Sequence, residues 1–218
     1  MSSTKALLIL NGDLDLDECE IMEIIKKENI EKIIAVDGGA NNTRKVNLIP
    51  DIIIGDLDSI TKENENYYQG KNVKFIKHPI EKDQTDSEIA VDFCKEYSLK
   101  EIFFAAALGG RIDQQIANIN LLEYVEDLKL KAKIISKNLE IALIPGTKVF
   151  KNKKNYRLSL IPQSKVVEKV RISGCKYNLA SKDIYRSQTR GISNKIENNR
   201  AQVDFESGLL IYILENLN

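Results

Sequence analysis

Apolar residues in the first half of the chain fall in short runs, over 6–10, 33–36, 52–54, 73–76, 102–108 and 133–135, most of them ending at Gly or polar residues. Runs of this length without strict alternation predict strands buried on both faces of a parallel sheet. Between them apolar positions recur at helical spacing, as in Ile21, Ile24 and Ile25, then Ile89, Phe93 and Tyr97, then Ile116, Ile119 and Tyr124. Strand alternating with helix predicts an α/β domain over residues 1–137: Rossmann-like, mostly parallel, with helices on both faces of the sheet. The pattern then changes. Strand-like runs over 149–150, 156–161, 166–172, 203–205 and 209–214 are separated by Gly174, Asn178, Gly191, Asn198-Asn199 and Gly208, with no helical spacing between them. They predict a smaller antiparallel β-sandwich over residues 138–218, with the join over 138–146, where Pro145-Gly146 marks a turn.

Composition narrows the classes of function. At 218 residues the chain is long enough to bury a substantial core. Its formal net charge of zero argues against a general nucleic-acid or membrane binder. The densest basic run, Lys148, Lys151, Lys153, Lys154 and Arg157, reads as a solvated loop. Cys19, Cys94 and Cys175 match no zinc spacing, so reduced thiols in a cytoplasmic protein are expected. The run over 6–10 is too short for a signal peptide and leads directly into acidic residues. No run approaches the roughly 20 apolar residues that span a bilayer.

The candidate chemistry lies in four acidic clusters at the ends of the expected strands or the start of expected helices. They are Asp37-Gly38-Gly39-Ala40-Asn41-Asn42, Gly55-Asp56-Leu57-Asp58-Ser59, Lys82-Asp83-Gln84-Thr85-Asp86 and Gly109-Gly110-Arg111-Ile112-Asp113. In open α/β sheets, ligands bind beyond the carboxyl ends of the strands. Carboxylates crowded there repel by roughly 3 kcal/mol per pair at about 5 Å and an effective dielectric near 20. A cation removes that cost, and an all-oxygen donor set suits Mg²⁺, which in turn suggests a phosphate-bearing substrate.

Each cluster also has a purely structural reading. Asp58-Ser59 can cap the helix that follows, and Thr85 with Glu88 fits a capping box. Gly38 and Gly39 can form a tight βα turn or let a ligand approach closely. Gly109 and Gly110 can free backbone N–H groups for a phosphate, with Arg111 as a second donor, while Asp113 can be only a cap. His78 is the only histidine, and with no nucleophile elbow in the sequence it reads as structural or surface.

Taken together, Asp37-Gly38-Gly39-Ala40, Gly55-Asp56-Leu57-Asp58-Ser59, Lys82-Asp83-Gln84-Thr85-Asp86, Gly109-Gly110-Arg111-Ile112-Asp113-Gln114 with Ala117-Asn118, and Gly191-Ile192-Ser193-Asn194 resemble the thiamine pyrophosphokinase family. The resemblance spans nearly the whole chain and implies Mg²⁺-dependent transfer of pyrophosphate from ATP to the hydroxyl of thiamine, giving thiamine diphosphate and AMP. It implies metal ligation by Asp56, Asp58 and Asp86, and catalysis by these with Asp83 and Arg111. ATP binding would involve Asp37, Asn42, Asp58, Ser59, Thr85, Arg111 and Asp113. Thiamine binding would involve Asp83, Gln114, Ser193 and Asn194. A homodimer with active sites at its interface is also implied, the second domain serving thiamine binding and dimerisation. Many members carry His where Gln114 stands and Trp near the C-terminus, whereas this chain has no Trp.

Three rival readings stand beside this one. They are a Mg²⁺ pyrophosphokinase acting on a pterin alcohol, a non-catalytic nucleotide-binding module, and an aspartyl-phosphate phosphatase using Asp56-Leu57-Asp58.

Overall fold

In the computed structural model, which describes residues 4–78 and 83–217, the apolar runs of the first half are strands and the helical patterns are helices. Lys82, at the head of one acidic cluster, lies outside the described residues. The chain divides into two units, Met1–Lys137 and Asn138–Asn218.

In the first unit, β1 (Lys5–Ile9) leads to α1 (Glu18–Glu28), β2 (Lys32–Val36) to α2 (Gly39–Lys45) and β3 (Ile52–Gly55) to α3 (Lys62–Gln69). Then β4 (Lys74–Lys77) leads to α4 (Asp86–Glu96) and β5 (Glu101–Ala105) to α5 (Ile112–Asp127), with β6 (Lys131–Ile135) last. The strands lie in the order β6-β5-β1-β2-β3-β4 and every neighbouring pair is parallel. The chain lays down β1 to β4 towards one edge, then returns to place β5 on the far side of β1. The order therefore reverses between β1 and β5, and a crevice opens there beyond the carboxyl ends.

Residues on both faces of β1, β2, β3 and β5 are buried, as their apolar runs require, while the edge strand β4 buries none. Leu7, Ile9, Phe103 and Ala105 pack with Leu16 and Ile21 on one face, where Ala35 and Ile53 meet Ala40, Ile60 and Tyr68. The alternate residues Leu8, Ile34 and Ile54 are fully buried as well. Each such side chain contributes roughly 1.5–3 kcal/mol of transfer free energy. The run over 102–108 is not all strand: β5 stops at Ala105, and Ala106 turns the chain out of the sheet at φ 53°.

The second unit is all β, with β7 (Leu139–Leu143), β8 (Thr147–Lys151), β9 (Arg157–Pro162), β10 (Val166–Ser173), β11 (Leu179–Tyr185), β12 (Asn194–Lys195), β13 (Arg200–Asp204) and β14 (Leu210–Glu215). Strands β12-β9-β14-β7 lie side by side, as do β11-β10-β13-β8, and all these pairs are antiparallel. Leu158, Leu160, Tyr212 and Leu214 from the first set share one core with Phe150, Val170, Ile172 and Val203 from the second. This is a sandwich, the architecture expected from the sequence.

Three local readings need correction. The expected join over 138–146 is largely strand, because 139–143 forms β7. Strand β11 was not expected: it lies last in its sheet and buries only Ile184, so it carries no apolar signature. The basic run is not a simple loop, since Lys148 and Lys151 lie on β8, and Arg157 opens β9 and pairs with Glu215 at 2.8 Å.

Among the described residues no helix is long and apolar enough to cross a membrane. All three cysteines are free, with Cys19 exposed and the other two buried. Burial pushes the Cys94 thiol up to about 12 and is the larger cause of the rise of Cys175 to about 11. Since the thiolate is the nucleophile, a thiol reagent at pH 8 should titrate one cysteine in the native protein and three after denaturation. Rapid native reaction of two or more would contradict this packing.

Candidate active site

The cleft at the β1/β5 reversal has a volume of about 300 Å³. It is lined by Leu10, Asn11 and Gly12 after β1, Asp37 after β2, Asp56 and Ser59 after β3, Ala107 and Gly109 after β5, the start of α4 at Thr85 and Asp86, and Gln114, Ala117 and Asn118 on α5. Six residues chosen from the sequence thus meet in one place: Asp37, Asp56, Ser59, Thr85, Asp86 and Gln114. Their convergence follows from parallel pairing. Register Val36↔Ile54 sets the ends of β2 and β3 side by side, so that Asp37 and Asp56 emerge together.

Carboxylate oxygens of Asp37, Asp56 and Asp58 lie within 4.8 Å of one another. These donors are all oxygen, which fits a hard divalent cation. Asp58 belongs to this group although it is exposed and does not itself line the cleft. Asp37, chosen from the sequence for nucleotide rather than metal, is thus a member of the candidate cation set.

Gly55 makes the crowding possible. It closes β3 at φ +146°, and a Cβ there would lie 3.0 Å from Asp37 Cβ and 3.2 Å from the Asp86 carboxyl carbon. Any other residue would drive a side chain between the two acids.

Several structural readings of the clusters are now resolved. Thr61, not Asp58 or Ser59, caps α3, its hydroxyl accepting from the Asn64 N–H at 3.3 Å. Thr85 does cap α4, accepting from the Glu88 N–H at 3.3 Å, while the Glu88 carboxylate accepts from the Gln84 amide at 3.1 Å. Asp113 is not a cap, because α5 begins at Ile112 with Arg111 at the cap position. The close approach at Gly38 and Gly39 serves the fold itself. A methyl group on Gly39 would collide with the Ile9 carbonyl and one on Gly38 with the Asn11 side chain.

Other residues chosen from the sequence stand apart from the lining. Asn42 is buried behind it, where its amide donates to the Leu10 and Gly12 carbonyls at 2.9 Å each and its oxygen accepts from Lys45 at 3.1 Å. Asp83 is exposed. Arg111 and Asp113 form an exposed fork with each other, at 3.1 and 2.6 Å. That hydrogen bonding is the main reason the Arg111 guanidinium is raised and the Asp113 carboxyl lowered from their ordinary values. Solvent screens the pair, so a phosphate can compete for the arginine.

Ser193 and Asn194 belong to the second unit. Ser193 is exposed, with its N–H donating to the Ser159 hydroxyl at 3.0 Å. Asn194 is buried, its oxygen accepting from the Tyr177 and Lys195 N–H groups and its amide donating to the Tyr177 carbonyl at 2.7 Å.

Sequence reasoning missed the loop after β1. Asn11 and Gly12 line the cleft, yet neither belongs to the four clusters singled out above. Two signals point to them: they follow the strand at which the order reverses, and they lead into Asp13, Asp15 and Asp17.

Asp37 shows the electrostatic cost of this arrangement. Burial is the largest cause lifting its carboxyl above the ordinary value. Hydrogen bonds from Ser59 and Gly38 act against burial, and the charge of Asp86 adds to it. The folded protein therefore holds this proton at pH values where the unfolded chain has released it. The resulting stability is full below the ordinary value of 3.8 and is lost as pH rises through the raised one. In EDTA, Asp37→Asn should melt above wild type at pH 7, with the difference shrinking towards pH 4. Equal melting temperatures at pH 7 would show that the ionised carboxylate carries no strain.

Comparison with known proteins agrees with this geometry. Residues 21–135 match the family model for the thiamin pyrophosphokinase catalytic domain, and residues 147–210 match that for the thiamin pyrophosphokinase vitamin B1 binding domain. Thiamine pyrophosphokinase of Bacillus subtilis strain 168 is 30% identical over 182 residues, covering 83% of this chain and 85% of that protein. A crystal structure of thiamine pyrophosphokinase from Bacillus subtilis has a TM-score of 0.85 at 27% identity, over 99% of this chain and 100% of the other. Yeast thiamin pyrophosphokinase has the same fold, with a TM-score of 0.84 at 18% identity over 99% of this chain and 87% of the other. By its sequence matches in both units and by its fold, this chain belongs to the thiamin pyrophosphokinase family.

Proposed function

We infer that this protein transfers pyrophosphate from ATP to the hydroxyl of thiamine, giving thiamine diphosphate and AMP. The observation that carries the reading is the gathering of the Asp37, Asp56 and Asp58 carboxylates at the β1/β5 cleft, in a chain of this family. The match of residues 147–210 to a vitamin B1 binding domain favours thiamine over a pterin alcohol.

The cleft's own charge supports a cation-dependent reaction. Its lining includes Asp37, Asp56 and Asp86 but, among the described residues, no Lys, Arg or His. A polyanionic nucleotide meets repulsion there unless positive charge accompanies it. Asp37, Asp56 and Asp58 would hold Mg²⁺, with Asp86 beside them. The ion would supply charge neutralisation at the phosphoryl oxygens and orientation of the phosphate chain.

The remaining work falls to the chain itself. The Gly109 backbone lines the cleft where phosphates would lie, whereas Gly12 only shapes the wall, its N–H being given to the Ala106 carbonyl at 2.8 Å. Arg111, released from Asp113, would reach phosphate as a two-pronged donor. Ser59, Thr85 and Asn42 would set the nucleotide's position, Asn42 by holding the Leu10 and Gly12 carbonyls. Gln114 and Asp83 would orient thiamine at this cleft; on the second unit Ser193 would be the exposed thiamine contact, and Asn194, bonded to Tyr177 and Lys195, would hold that turn in shape. In the reaction the thiamine oxygen bonds to the β-phosphorus and the bond from that phosphorus to the bridging oxygen breaks. AMP leaves with the bridging oxygen, and the hydroxyl proton passes to a cleft carboxylate. Positioning and electrostatics contribute most of the rate, as in other phosphoryl transfers.

The proposal includes a cytoplasmic homodimer with active sites at the interface. Ile112 and Ile116 are exposed one turn apart on α5, giving the first unit an apolar surface for a second copy.

An endpoint assay with Mg-ATP and thiamine should give thiamine diphosphate and AMP in equal amounts, lost on chelation. Formation of ADP and thiamine monophosphate would overturn the reaction class. Folded Asp86→Asn should lose roughly two to three orders of magnitude in kcat. Turnover at the wild-type rate would remove Asp86 from the site.

A further inference from the structure

Two of the three clustered carboxylates stand on a short connection between β3 and α3, and its backbone does not hold itself. Leu57, between Asp56 and Asp58, has a left-handed φ of 67°, a conformation that an L-residue with a bulky side chain keeps only when its surroundings impose it. Inside the loop, the Asp58 N–H donates to Asp56 at 3.1 Å and the Ser59 hydroxyl to Asp58 at 2.8 Å. Both bonds use carboxylate oxygens that a cation would claim. The Ser59 N–H donates to Asp37 at 3.3 Å, another oxygen of the same cluster. Ile60 packs with Ala40, Ile53 and Tyr68, and Leu57 packs against the same cluster, so apolar contacts fix the depth of the loop at two points.

The polar anchor that leaves the cluster's oxygens free is Asn41 on α2. Its amide donates to the Ser59 carbonyl at 2.8 Å, while its oxygen accepts from the Thr61 N–H at 3.0 Å and the Asn64 amide at 2.8 Å. The side chain thus ties the far end of the acidic loop and the first turn of α3 to α2. Its neighbour Asn42 points the other way, to the loop after β1.

We propose that Asn41 is a positioning residue for the divalent cation: by fastening residues 59–61 to α2 it holds Asp56 and Asp58 in the geometry that binds the ion. The proposal rests on the reading of Asp37, Asp56 and Asp58 as the cation set. Side chains that orient ligating carboxylates affect metal affinity strongly without touching the metal.

The test is Mn²⁺ binding to the full chain, followed by electron paramagnetic resonance, for wild type, Asn41→Ala, Asp58→Asn and, as a control on the exposed face of α3, Asn66→Ala. Asn41→Ala should weaken Mn²⁺ binding roughly 10- to 100-fold, and Asn66→Ala should leave it unchanged. In turnover, the Mg²⁺ concentration for half-maximal rate should rise by a similar factor for Asn41→Ala. Its kcat at saturating Mg²⁺ should stay within about threefold of wild type, a split that general loosening of the fold would not give. If Asn41→Ala does not fold, Asn41→Ser, one heavy atom shorter, is read the same way. Wild-type Mn²⁺ affinity in the Asn41 variant, with affinity lost in Asp58→Asn, would overturn the role of Asn41 and leave the site intact. A wild-type protein that binds no Mn²⁺, alone or with a non-hydrolysable ATP analogue, would overturn the cation site and Asn41's role with it.

Discussion

Asp37, Asp56 and Asp58 present carboxylate oxygens within 4.8 Å of one another, and Asp86 lies close enough to Asp37 to raise its proton affinity. Ionised acids at such spacing repel by roughly 3 kcal/mol per pair at an effective dielectric near 20. Left to itself a flexible chain would separate them. The sheet prevents this, because the ends of β2 and β3 are fixed by backbone pairing and both faces of the strands are buried. The fold supplies the rigidity, and the acids spend part of it to create a place where positive charge is strongly favoured. Marginal stability makes this workable only where few residues are so strained.

Backbone detail around the cleft follows from the same constraint. Gly55 leaves room between Asp37 and Asp86, and Gly39 lets α2 settle against the end of β1. Once α2 is that close, Asn41 and Asn42 can reach in opposite directions to the loops after β3 and β1. A short helix with no side-chain cap of its own thereby braces both walls of the cleft. Its sequence, Gly-Ala-Asn-Asn-Thr-Arg-Lys, is chosen for contacts at this end of the sheet more than for helix propensity.

The parts of this structure that sequence revealed are those where a residue's own environment is uniform. Runs such as 6–10 and 52–54 are apolar because both faces of the sheet are covered, so hydrophobicity alone located β1 and β3. Where a strand faces solvent the signal fails: β11 buries only Ile184, and β12 is two residues long. The acidic clusters were legible as clusters, but their partnerships were not. Asp37 joins Asp56 across a helix and a strand of intervening sequence, through register Val36↔Ile54. Asp58-Ser59 looked like a cap because its composition suits one, and only the backbone placed the cap at Thr61. Glycines beside an acid suggested room for a ligand, although at Gly38 and Gly39 the neighbour is the protein's own Asn11 and Ile9.

The lining of the cleft also bears on how the site responds to solution conditions. Gln114 lines the cleft and cannot titrate. His78, the only histidine, is not part of the lining. The ionisable groups among the described lining residues are therefore Asp37, Asp56 and Asp86. On the proposed reading, protons and a divalent cation would compete for the Asp37 oxygens, because a carboxylate must be ionised to ligate. Acidification would then weaken binding of the ion, and pH and cation concentration would be two settings of one equilibrium.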